Sequence, residues 1–96
     1  MDLLVTYDVD TTNREGERRL RRVAKICEGH GIRVQKSVFE VVCTDAQRTL
    51  LEHQLRETIN TQVDSIRIYP LPARTLDAVS QIGTGIQPLH RGDQII

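Results

Sequence analysis

Apolar residues crowd the first eight positions, with Leu3, Leu4, Val5 and Tyr7 running up to Asp8. That density over so short a span predicts a buried strand over residues 3–8. The polar stretch "DVDTTNREG" then reads as a turn. From about Arg14 to Glu28 the period changes. Leu20, Val23, Ala24 and Cys27 fall on one stripe of a helix, and Arg14, Arg18 and Arg22 fall on the opposite side with Arg21 and Lys25 beside them. "EGHG" closes this helix, with Gly29 or Gly31 able to take a left-handed conformation.

"IRVQKSVFEVVC" is β-branched and aromatic with polar residues interleaved, which predicts strand. Twelve residues exceed a usual strand, so a bend near Lys36 and Ser37 would divide it into a hairpin, although no glycine marks that turn. Thr44 followed by Gln47 has the form of a capping box and opens a second helix. Its buried stripe is expected to be Leu51, Leu55 and Ile59, with Leu50 beside them. After the turn "NTQVD", the segment "SIRIYPL" alternates Ile66 and Ile68 against Arg67 and Tyr69, and Pro70 suggests an edge or a strand end.

The order strand, helix, strand pair, helix, strand predicts an α+β fold, a ferredoxin-like βαββαβ sandwich with both helices on one face of an antiparallel sheet. Residues 1–75 form that domain. Residues 76–96 are expected to be a C-terminal extension, a strand and tail for a dimer or another partner, whose apolar end Ile95–Ile96 could extend a neighbouring sheet. The helices leave the second sheet face bare, and a second copy of the chain is the simplest cover, so a homodimer is expected.

Composition narrows the class. A chain of 96 residues fits one domain with little stability in reserve. No apolar run is long enough for a membrane helix, and the first residues do not have the form of a signal peptide, so a cytoplasmic protein without membrane contact is expected. Cys27 and Cys43 match no zinc spacing and read as reduced, buried thiols. His30, His53 and His90 show no ligand spacing and are expected at the surface, "GTG" lacks the rest of a nucleotide fingerprint, and "RGD" is a chance tripeptide. The formal charge is zero, yet residues 14–36 hold eight basic groups against three acidic ones. Such a cationic segment suits a polyanion, and it equally suits a solvated helix.

Asp8 stands where a buried strand emerges, a rigid point from which to offer a ligand. A hard cation such as Mg²⁺ keeps several waters and needs only one or two carboxylates. Asp at that place is also a common turn former, and both readings stand on the residues alone. Asp10 is expected to cap the coming helix or to contribute weakly. One carboxylate makes a poor metal site, which two copies meeting across a twofold axis would repair. The helix arginines would contact phosphates without reading bases, because Tyr7, Phe39 and Tyr69 are too few for a stacking platform. Phe39 reads as core or as the centre of a dimer contact.

"LVTYDVD", "RRLRRVAKICEGHGIRVQKSVFE" and "DSIRIYPL", in that order and spacing, resemble CRISPR-associated protein 2, the small partner of the CRISPR integrase. The likeness spans about residues 2–72, and the "CEGHG" link is most similar to the type I-C branch. The resemblance implies a ferredoxin-like homodimer and a Mg²⁺- or Mn²⁺-dependent endonuclease acting on single-stranded RNA or double-stranded DNA. It makes Asp8 the catalytic metal ligand. Tyr7, Arg22 and Arg33 become substrate-binding residues, with Ser37 and Phe39 in support; the helix face adds Arg18 to the first group, and its place near Asp8 adds Asp10 to the second. It also implies a bridge between integrase subunits that holds prespacer DNA during spacer acquisition. Two other readings stay open: an adaptor that binds DNA without cutting it, and a toxin-like or ligand-binding ferredoxin module.

Overall fold

The N-terminal apolar run becomes β1 (Asp2–Asp8), and α1 (Arg14–Glu28), β2 (Ile32–Gln35), β3 (Val38–Val42), α2 (Asp45–Thr58) and β4 (Ser65–Leu71) follow in order. This is a computed structural model, and it describes residues 1–84. The four strands form one antiparallel sheet in the order β2-β3-β1-β4. That is the expected ferredoxin-like arrangement. The far part of the expected tail, with His90, the "RGD" tripeptide and Ile95–Ile96, lies outside the described residues.

Strand alternation decides which residues meet the helices. Leu3, Val5 and Tyr7 of β1 and Phe39 and Val41 of β3 are buried, packed with Val23 and Cys27 of α1 and Leu51 and Leu55 of α2. Each large aliphatic side chain removed from water here contributes about 1.5–3 kcal/mol. The opposite parity puts Leu4, Thr6 and Asp8 on the bare face, where β1 pairs Leu4 with Tyr69 and Thr6 with Arg67. Arg67 donates to the Tyr69 hydroxyl at 2.6 Å and lies over its ring. A 3₁₀ turn at Thr75–Ala78 returns to the sheet, burying Leu76, whose N–H donates to the buried Asp2 carboxylate at 2.9 Å. The start of the extension is therefore packed onto the domain.

Local chemistry explains the element ends. The Thr44–Gln47 capping box forms as expected, with both reciprocal hydrogen bonds. The hairpin turns at Lys36–Ser37 without glycine. Its register is held by a bulge between Arg33 and Gln35 and by the Tyr7 N–H, which donates to the Ser37 carbonyl at 3.1 Å. Three expectations need correction. Neither Gly29 nor Gly31 is left-handed: Gly29 ends α1 right-handed at φ −73°, and Gly31 instead runs too close to the Glu40 carbonyl for a Cβ. Asp10 does not cap α1; Asn13 does, accepting from the Gly16 N–H at 2.8 Å, while Asp10 accepts from Thr12 N–H two residues on. Asp10 lies too far before the helix to reach its free N–H groups, so it closes its own turn. Leu50 is not part of the buried stripe but 50 % exposed, because it falls a full helical step from Leu51.

Candidate active site at the end of β1

β1 delivers Asp8 to the end of the sheet as its last paired residue, opposite Ser65. The side chain is exposed, and among the described residues nothing hydrogen-bonds or ion-pairs with its carboxylate. Beside it opens a cavity of about 460 Å³ between β1, α1 and the hairpin turn. Its lining includes Tyr7, Val9, Leu20, Arg21, Arg33 and Lys36 together with Asp8 and Ser37. An uncommitted acid therefore sits at a rim that also carries three cations.

The wall behind Asp8 is rigid. Tyr7 is buried, and its hydroxyl donates to the Lys36 carbonyl at 3.1 Å. The Phe39 ring is stacked with it at 6.1 Å, and the Arg33 guanidinium lies over Phe39 at 5.2 Å. Arg33 also approaches the Tyr7 hydroxyl at 3.5 Å and Glu28 at 3.7 Å. The Tyr7 hydrogen bond raises the Arg33 pKa, so this cation is permanent. Phe39 is fully buried, a floor for the arginine and the tyrosine.

The remaining expected residues lie elsewhere. Arg18 and Arg22 line a separate, shallow recess with Arg21 and Lys25, and Arg18 is paired with the exposed Glu15 at 3.0 Å. Arg21 reaches both the recess and the cavity. The sequence marked it only as a neighbour of the arginine row. Among the described residues no group of three or more His, Cys, Asp or Glu side chains could hold a metal. Asp8 offers one exposed carboxylate, a hard oxygen donor, and no second acid joins it in such a group among the described residues. Cys27 and Cys43 are free and buried, and burial pushes the Cys27 thiol up to about 12, so it takes no part in nucleophilic chemistry at neutral pH. His30 is half-buried and hydrogen-bonded to Gln54 at 2.8 Å, a link between the end of α1 and α2.

One network behind the site gave no sequence signal. The Asp64 side chain is fully buried in the turn before β4, and it takes a hydrogen bond from Arg19 Nε at 2.7 Å. The same carboxylate accepts the backbone N–H of Asp10 at 3.0 Å and of Asn60 at 2.9 Å. Burial by itself would raise the Asp64 pKa, but Arg19 and the two N–H groups outweigh it and hold the carboxyl below its ordinary 3.8. Asp10 also lies below its ordinary value, chiefly through the Thr12 backbone N–H. Both carboxylates hold a proton more weakly folded than unfolded. Their stabilisation is complete above the unfolded pKa and is lost as pH falls through the lowered folded values. The melting temperature should therefore drop below about pH 4, where unfolded carboxylates begin to protonate. Asp64→Asn should flatten that drop in scans between acid and neutral pH; parallel curves for the two proteins would deny the linkage.

Comparison with known proteins places the chain in a family. A family model described as CRISPR associated protein Cas2 matches residues 1–79. A CRISPR-associated endoribonuclease Cas2 of Moorella thermoacetica is 42% identical over 86 residues, covering 90% of this chain and 90% of that protein. A CRISPR-associated endonuclease Cas2 of Halalkalibacterium halodurans is 45% identical over 83 residues, 86% of each chain. The crystal structure of Streptococcus pyogenes Cas2 at pH 6.5 superposes with a TM-score of 0.76 at 44% identity, covering 86% of this chain and all 100% of that one. With a family match across most of its length, relatives of similar size and a matching fold, the chain belongs to the CRISPR-associated protein Cas2 family.

Proposed function

We propose that this chain is a nuclease of CRISPR adaptation, a metal-dependent phosphodiesterase that acts as a homodimer on RNA or double-stranded DNA. The observation that carries the reading is Asp8, a carboxylate that is exposed, has no partner among the described residues and is fixed at the end of a central strand beside a cation-rimmed cavity. The names of the relatives, endoribonuclease and endonuclease, support the same chemistry.

Asp8 fits half of a site for Mg²⁺ or Mn²⁺. It is a hard oxygen donor with no competing partner among the described residues, and such ions accept one or two carboxylates with water filling the rest. The bare sheet face carries Asp8, so two chains meeting through that face would bring a second Asp8 to the same ion. When bound, a divalent cation supplies Lewis-acid stabilisation of the charge that gathers on a phosphodiester under attack. The protein does the positioning. Arg21 and Lys36 at the cavity rim hold phosphate oxygens, and Arg33 is held by Phe39 and Tyr7 so that its charge stays fixed at the wall. Ser37 and Tyr7 lock the hairpin turn that presents Lys36. The expected partner beyond nucleic acid is the CRISPR integrase subunit, reached through the extension after residue 75.

Chelation tests the metal reading. Wild-type protein should cleave single-stranded RNA or double-stranded DNA with added Mg²⁺ or Mn²⁺, lose the activity in EDTA, and regain it when excess metal returns. Cleavage that persists in EDTA overturns the metal requirement, and a monomer by sedimentation at assay concentration overturns the shared site. A second reading, an adaptor that binds duplex DNA without cutting it, is favoured by the arginine row on α1, whose recess is separate from the Asp8 cavity. The two roles share Arg21 and otherwise draw on different residues, so they can coexist.

Among the described residues no helix is long and apolar enough to cross a membrane.

A further inference from the structure

The loop after Asp8 is gripped at one residue. The Asp10 N–H donates to Asp64 Oδ1 at 3.0 Å, and the Asp10 carbonyl accepts from Arg19 Nη2 at 3.4 Å. Arg19 and Asp64 are themselves joined through Nε and Oδ2 at 2.7 Å, so one ion pair clasps both polar groups of a single residue. The first helical turn needs the same closeness: Gly16 packs its Cα against the Asp10 carbonyl, and any Cβ there would collide with it. Asp64 also anchors the other side, accepting from Asn60 N–H at 2.9 Å and standing one residue before Ser65, the ladder partner of Asp8. The buried carboxylate thus ties the strand end that carries Asp8, the first half of α1 and the turn before β4 into one body. An ion pair taken out of water gains little net stability over an apolar replacement, so stability alone is a weak reason for it. A ligand that must be held to within about half an ångström is a stronger one.

We infer that Asp64, clasped by Arg19, is a positioning residue that fixes the direction of the Asp8 carboxylate through the Asp10 peptide. The inference rests on the reading of Asp8 as a metal ligand. It also removes Arg19 from the set of phosphate-binding arginines on α1, because its guanidinium is committed to the clasp.

The test compares the full-length wild type with Asp64→Asn, which keeps the shape but replaces an acceptor oxygen with a donor and so cannot take both N–H groups. Three readouts are taken on folded protein: exchange protection of the Asp10 amide, affinity for Mn²⁺ alone by electron paramagnetic resonance, and kcat and KM for cleavage. The variant should lose about tenfold or more in Asp10 protection. Its Mn²⁺ affinity and kcat should fall by roughly 10–100-fold, the range for groups that orient a ligand from behind, with KM within about twofold. Unchanged Mn²⁺ affinity and kcat in a variant whose Asp10 amide has come loose would reduce the clasp to a structural strut and overturn the inference. So would a raised KM at constant kcat, which would make the pair a substrate contact. Should Asp64→Asn fail to fold, Arg19→Lys carries the same comparison, since it keeps the charge opposite Asp64 but loses the fork that reaches the Asp10 carbonyl. Wild-type protein that binds no Mn²⁺ sinks the Asp8 reading and the positioning role with it, and does so before any variant is compared. A wild type that binds beside a variant that binds equally well sinks the positioning role alone.

Discussion

Asp8→Asn should abolish metal-dependent cleavage, with kcat expected to fall by about 10²–10³-fold or more, and should leave the melting curve unchanged. The two halves of this result come from different parts of the geometry. The carboxylate contributes nothing to the core: it is exposed and has no partner among the described residues, and surface changes of this kind stay within about 0.5 kcal/mol. Asparagine keeps the volume and the β-ladder pairing with Ser65 but removes the charge that a hard cation requires. If that ion supplies several kcal/mol of charge stabilisation, each 1.36 kcal/mol lost is a tenfold fall in rate. In a homodimer the substitution removes both acids at once. Duplex binding measured in EDTA should not change, because the arginine row lies in another recess. Full cleavage by Asp8→Asn would assign the activity to other residues or to a contaminant, and the Asp8 reading would be finished.

What the chain discloses and what it withholds follow from sequence distance. The helix stripes, the capping box and the strand alternation are local, carried by residues three or four apart in a helix and two apart in a strand, and they are visible without a structure. Asp8 is legible for the same reason, as a charge that ends an apolar run. The joining of Tyr7, Arg33 and Phe39 needs the register that sets Phe39 between Val5 and Arg33, which only the folded sheet supplies. The Arg19–Asp64 clasp spans 45 residues, and neither partner stands out: Arg19 is one of five arginines in nine positions, and Asp64 ends an ordinary polar turn. Asp10 misled because an acid shortly before a helix resembles a cap, whereas Asn13 stands at the position where a side chain can reach the first free N–H groups. The helix row was legible as charge but not as direction. Arg21 and Arg22 are neighbours in sequence, yet one helical step of about 100° lets Arg21 reach the Asp8 cavity while Arg22 does not line it.

Replacing Arg18, Arg22 and Lys25 together with glutamine should separate gripping from cutting. These three side chains line one exposed recess on α1, and glutamine is nearly as good a helix former as arginine or lysine, so the fold should hold. Each phosphate contact releases counterions and contributes about 0.9 to the slope of log K against log salt on duplex DNA. Three lost contacts should flatten that slope by about 2.7 and weaken binding near 0.1 M salt by roughly 10²–10³-fold. Arg18 is partly engaged by Glu15, so its share is the smallest of the three. Cleavage should fail through KM, with kcat at saturating nucleic acid kept, which is the reverse of the Asp8→Asn pattern. In spacer acquisition the triple variant should be defective even if cutting proves dispensable, because an adaptor still has to hold the duplex. A salt slope equal to that of the wild type would mean that nucleic acid does not lie along this face of α1, and the cationic surface would then be no more than a solvated helix.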